Sequence, residues 1–94
     1  MENRDEIVFQ GKVYEKKMMQ KKIYYVTFSN EGELNQYKDN DLIDTIWLSI
    51  ESKCLSKSKT NFEIVSGGGK KLSLHVDSGV EQWVQEINKV IGSI

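Results

Sequence analysis

At 94 residues the chain has room for one hydrophobic core and none for a second unit with its own cleft, so residues 1–94 are expected to form one domain. A formal net charge of -1 gives no global attraction to nucleic acid, and the lone cysteine, Cys54, excludes an internal disulfide scaffold, which points to a reducing, cytoplasmic setting. No apolar run approaches the roughly 20 residues of a membrane span, and Met1 to Glu6 lacks the basic start and apolar centre of a signal peptide.

The first expected strand runs from Ile7 to Tyr14, with Ile7, Phe9 and Val13 on one face and Gly11 between them as a bend or bulge. Lys17 to Gln20 is short enough for a hairpin loop, and Lys21 to Ser29, rich in β-branched and aromatic residues, reads as strand two. Asn30-Glu31-Gly32 is a turn signal; Glu33 to Lys38 follows as strand three and Asp39 to Asp44 as a polar loop. Thr45 to Ile50 reads as strand four, with Ile46, Leu48 and Ile50 on one face and Trp47 on the other. A weaker fifth strand falls at Lys53 to Ser56. Asn61 to Ser66 and Lys71 to Val76 are strands six and seven, joined by a tight turn at Gly67-Gly68-Gly69-Lys70.

The chain closes on an amphipathic helix over 79–91, where Val80, Trp83, Val84, Ile87, Val90 and Ile91 recur at steps of three and four and form one core-facing stripe. Ser78 and Glu81 have the spacing of a capping box, and Gly92 suits a left-handed helix end. Seven short strands and one C-terminal helix predict a mainly β fold, a seven-stranded antiparallel sandwich or open barrel capped by the helix.

In this order the segments resemble the pleckstrin homology (PH) domain family over essentially the full chain. Gly11-Lys-Val-Tyr-Glu-Lys16 is similar to the family's glycine-bearing first strand, and Lys21-Lys-Ile-Tyr-Tyr-Val-Thr27 to its basic, aromatic second strand. Gly32-Glu-Leu-Asn-Gln-Tyr-Lys38 is similar to the third strand with its late tyrosine, Tyr37, and Asn61-Phe-Glu-Ile64 to the sixth; Trp83 stands where the closing helix carries its tryptophan. The resemblance implies a non-enzymatic module, without cofactor, that binds anionic phospholipid or phosphoinositide head groups as a peripheral membrane protein in the cytoplasm. A PH-type protein-interaction module without specific lipid binding is the alternative. The family's phosphoinositide pattern is matched in part: Lys21 fits the second basic position, whereas Glu15 falls where the first lysine is expected and Ile23 where the arginine would stand.

Local charge agrees with a membrane-facing first hairpin. Residues 11–22 hold Lys12, Lys16, Lys17, Lys21 and Lys22 against Glu15, a net of +4, while residues 30–51 hold Lys38 against Glu31, Glu33, Asp39, Asp41, Asp44 and Glu51, a net of -5. The single arginine is Arg4, so planar phosphate clamps are scarce. In the hairpin, lysines would meet lipid phosphates while Met18 and Met19 dip into the interface; the bland reading is a solvated hairpin kept soluble by its lysines. The family's loop geometry brings Lys70 and Lys71 to the same end. The lipid-binding set is thus Lys16, Lys17, Lys21, Lys22, Tyr37, Lys70 and Lys71, with Met18 and Met19 inserting and Trp47 as the candidate anchor for a protein partner.

No catalytic or metal site is expected. Gly67-Gly68-Gly69-Lys70-Lys71 lacks phosphate-loop spacing, the lone histidine His75 has no second ligand, and nothing orients Cys54 and His75 as a nucleophile pair. Tyr24, Tyr25 and Tyr37 read as core and rim aromatics, because the basic stripe of a nucleic-acid platform is missing.

Overall fold

A computed structural model describes residues 6–94 and gives the architecture as eight elements. They are β1 (Ile7–Lys17), β2 (Gln20–Ser29), β3 (Glu33–Lys38), β4 (Asp41–Trp47), β5 (Lys53–Ser56), β6 (Asn61–Val65), β7 (Lys71–His75) and α1 (Val80–Gly92). The strands form one antiparallel sheet in the order β4-β3-β2-β1-β7-β6-β5, as the alternating pattern and short loops predict. Arg4 lies outside the described residues.

The inner faces of the strands meet in a core of Val13, Val26, Phe28, Leu34, Phe62, Ile64 and Leu74, closed by Val80, Ile87, Val90 and Ile91 of the helix. Helix α1 packs chiefly on β5 and also touches β1, β2 and β6. Trp83 fastens it there. Its ring lies edge-on to Phe9 at 4.7 Å between centroids and stacks on Phe62 at 5.6 Å. Gly11 is the seat for this ring: a Cβ at that position would stand 2.6 Å from Cζ2 of Trp83. The glycine is therefore set by close approach, and the β1 irregularity falls instead between Ile7 and Phe9. Asn88 adds a polar clamp, its Oδ1 accepting from the Cys54 N–H at 3.0 Å and its Nδ2 donating to the Cys54 carbonyl at 3.1 Å.

Several sequence expectations are corrected. The first hairpin loop is only Met18 and Met19, because pairing continues through Lys16 with Lys21 and Lys17 with Gln20. Asp39 and Asn40, at φ 53° and 72°, form a two-residue turn, so β4 begins at Asp41 and the expected polar loop is mostly strand. Strand β4 also ends sooner, at Trp47; Ile46 and Leu48 are buried, but Ile50 lies in the following turn and is exposed. The capping box does not form. Gly79, left-handed at φ 81°, takes the N-cap position without a side-chain cap, and Glu81 is left to favour the first turn by its charge alone. At the other end Gly92 remains helical, and Ser93 closes the helix through its N–H to the Val90 carbonyl and its hydroxyl to the Lys89 carbonyl.

Candidate functional site

Strict alternation along β1 and β2 divides the first hairpin into two chemically different faces. Val13 and Glu15 point with Tyr24 and Val26 toward the inside of the sheet, and Lys17 and Lys22 continue that face toward the tip. On the outer face, Lys12, Tyr14 and Lys16 of β1 lie beside Tyr25, Ile23 and Lys21 of β2. The four hairpin lysines are therefore split, two to each face.

The inner face is occupied by a carboxylate. Glu15 lies opposite Lys22 and accepts a hydrogen bond from the Tyr24 hydroxyl; burial first, then this bond and the negative charge, raise the Tyr24 phenol above its ordinary value of 10.0. An incoming phosphate on this side would meet a committed anion.

The outer face offers cations without that obstacle. Lys16 and Lys21 are directly opposed, and the Lys21 ammonium sits 4.2 Å from the centroid of the Tyr14 ring. Tyr14 in turn stacks on His75 of β7 at 5.4 Å, so β1, β2 and β7 are tied together across this surface. Farther along, the register aligns Lys12, Tyr25, Tyr37 and Leu42 across four strands. A groove of about 620 Å³ runs there, lined by Lys12, Ile23, Tyr25, Tyr37, Asp39 and Asn40 among others. Tyr37 thus belongs to the outer face.

At the tip, Met18 and Met19 have their side chains wholly in solvent, at 101% and 99% of full exposure, and Met18 holds a left-handed φ of 56° that favours glycine or asparagine. Lys70 forms an ion pair with Asp44 at 3.5 Å, and Lys71 opens β7 as an exposed residue. Trp47 projects from β4, 60% exposed, on the same face as Glu33.

The contributions of Tyr14, His75 and Lys12 to this surface were not legible from residue type. Alternation alone places Lys12 and Tyr14 with Lys16, but the neighbouring strand that brings His75 is visible only in the fold. Cys54 and His75 do not share a face. Cys54 faces the core with its thiol pushed up to about 12 by burial, whereas His75 lies on the outer face with Nδ1 buried and unpartnered. No cluster of three metal-ligating side chains occurs among the described residues.

No protein-family model matches the chain, and no curated protein matches it in sequence. Solved structures do match in shape. A crystal structure of the carboxyl-terminal PH domain of pleckstrin superposes with a TM-score of 0.79 at 17% identity, covering 94% of this chain and 99% of that one. The solution structure of a pleckstrin homology domain gives 0.73 at 22% identity, covering 98% and 89%. In the complex of human RhoA with a DH/PH fragment of PDZRhoGEF, the match gives 0.76 at 10% identity and covers 96% of this chain but 30% of the other, so the chain spans under a third of that fragment. The chain has the pleckstrin homology fold.

Proposed function

We propose, from the pleckstrin homology fold and the chemistry of its first hairpin, that this chain is a non-enzymatic, cytoplasmic module that docks peripherally on anionic membranes. Residues 1–94 act as one domain in this reading. The observation that carries it is the hairpin tip, where two adjacent methionines stand fully in solvent between Lys16, Lys17, Lys21 and Lys22. The left-handed φ of Met18 is the one a two-residue hairpin turn takes, and the turn holds both methionine side chains out beyond the paired strands.

Magnitudes separate charge from insertion. At about 1 kcal/mol per lysine near an anionic surface, four lysines give roughly 4 kcal/mol, which is about millimolar affinity. Burying two methionines at about 1.5 kcal/mol each adds roughly 3 kcal/mol and brings the affinity to about 10 µM. The outer face takes the head-group phosphate through the opposed Lys16 and Lys21, with Lys12 farther along the same face, because Glu15 guards the inner one; Tyr37, Lys70 and Lys71 play a secondary part. A monophosphorylated or generically anionic lipid suits this arrangement better than a polyphosphorylated inositol. One neighbour of similar shape, the C-terminal PH domain of pleckstrin, was solved in complex with an inositol pentakisphosphate, which supports head-group chemistry on this scaffold. Vesicle co-sedimentation across anionic-lipid content and salt tests the reading: binding should rise with the former and fall with the latter, and binding indifferent to both would refute it.

A second reading draws on the exposed apolar residues Ile23, Tyr25, Leu42, Ile43 and Trp47 on or beside the outer face of β2 to β4. They suit a protein partner anchored at Trp47, and the acidic segment 39–51 would select a basic one. Loss of a pull-down on Trp47→Ala, with vesicle binding intact, would favour it.

A further inference from the structure

We propose that the hairpin tip is an oxidation switch: hydrogen peroxide converts Met18 and Met19 to their sulfoxides, and the polarised side chains leave the membrane. The inference rests on the membrane reading above and adds the means by which the same site is turned off.

Access comes first. Both methionine side chains are as open as in an isolated residue, so no packing shields either sulfur from a small oxidant in water. The competing sulfur is withdrawn. Cys54 is 2% exposed within the core, and its thiol, pushed up to about 12, holds essentially no thiolate at neutral pH. Peroxide reacts with thiolates, so the group that ordinarily outruns a thioether is disarmed here. Among the described residues, the tip thioethers are the reactive sulfurs.

The chemistry is self-contained. A sulfur lone pair attacks one peroxide oxygen, the O–O bond breaks as the S–O bond forms, and the departing hydroxide takes up the remaining proton as water. Sulfur loses two electrons and peroxide gains them. A dithiol reductase reverses the step, releasing the oxygen as water and forming a disulfide in the reductase. Because neither methionine packs against the core, the added oxygen leaves the fold intact and acts where the side chains meet another phase. The four lysines keep their charge, so the oxidised chain retains a weak, salt-sensitive attraction to anionic lipid and loses the part due to insertion.

The test compares the full chain with a Met18→Leu/Met19→Leu variant, each with and without peroxide, on vesicles of phosphatidylcholine and phosphatidylserine, with oxidation sites read by peptide mass spectrometry. Untreated, both should bind alike. Peroxide should add oxygen at Met18 and Met19, weaken wild-type binding roughly tenfold for each methionine, and leave the leucine variant unchanged; methionine sulfoxide reductase should restore the wild type. The proposal is overturned if wild type oxidised at both positions binds as before, if the leucine variant loses as much, or if Cys54 is oxidised first. Failure of the untreated wild type to bind overturns the membrane reading and this one with it, and the untreated arm alone reveals that outcome.

Discussion

Replacing Gly11 by alanine places a methyl group 2.6 Å from Cζ2 and 2.9 Å from Cη2 of Trp83, where ordinary contact begins at 3.4 Å. The ring must retreat by about 0.8 Å, and it is held between Phe9 and Phe62 at centroid distances of 4.7 and 5.6 Å. Overpacking of this kind costs about 1–3 kcal/mol, and disturbing aromatic pairs worth about 0.5–1.5 kcal/mol each adds to it. A loss near 3 kcal/mol is expected, which lowers Tm by roughly 10–25 °C for a chain of this size. Urea and thermal denaturation followed by circular dichroism measure it. Trp83→Leu supplies the control: with the indole gone and the helix stripe still apolar, the alanine should cost about 0.5 kcal/mol or less. An equal cost in both backgrounds, or no cost in the wild type, refutes the idea that Gly11 exists to seat the tryptophan.

Three further outcomes follow from the site. Met18→Gly relieves the left-handed backbone and should raise stability by up to about 1 kcal/mol while weakening anionic vesicle binding roughly tenfold, a divergence that denaturation and co-sedimentation together detect. Glu15→Gln removes the anion from the inner face and should tighten anionic vesicle binding by about 1 kcal/mol, read from the same titration; unchanged binding would mean that Glu15 does not limit the ligand. Stability should also fall in alkali. The folded Cys54 thiol, with a pKa of about 12, keeps a proton that the unfolded chain releases from its ordinary 9.0, so stability is intact below pH 9 and declines as pH rises toward 12. Against Cys54→Ala, urea unfolding at successive pH values should show an excess loss of about 1.4 kcal/mol per pH unit in that window.

Much of the scaffold was legible because it depends on periodicity. The stripe from Val80 to Ile91, the alternation in β2, β6 and β7, and Phe9 and Val13 in β1 report burial directly; Ile7, expected on the same face as these two, is exposed because the β1 irregularity falls between it and Phe9. Boundaries were less legible where backbone conformation outranks residue type. Met18 carries no turn signal, so the extra pairs Lys16 with Lys21 and Lys17 with Gln20 were hidden. Asp39 and Asn40 did carry one, since short polar side chains tolerate positive φ, but the acidic residues after them suggested a loop. At the helix start, Ser78 and Glu81 had the right spacing, and the left-handed Gly79 between them took the cap position. For the site, composition located the lysines, but the division of faces that sets Glu15 against Lys16 and Lys21 needed the hairpin register.

Entry of the hairpin tip into the membrane can be observed directly. Paramagnetic relaxation from lipids spin-labelled in their acyl chains, measured on the methyl groups of the folded chain with anionic nanodiscs, reports it residue by residue. The strongest broadening should fall on Met18 and Met19, with weaker effects at Ile23 and none at Val90 or Ile91 in the helix. Broadening centred on Leu42 and Ile43, or spread evenly over the surface, would contradict it.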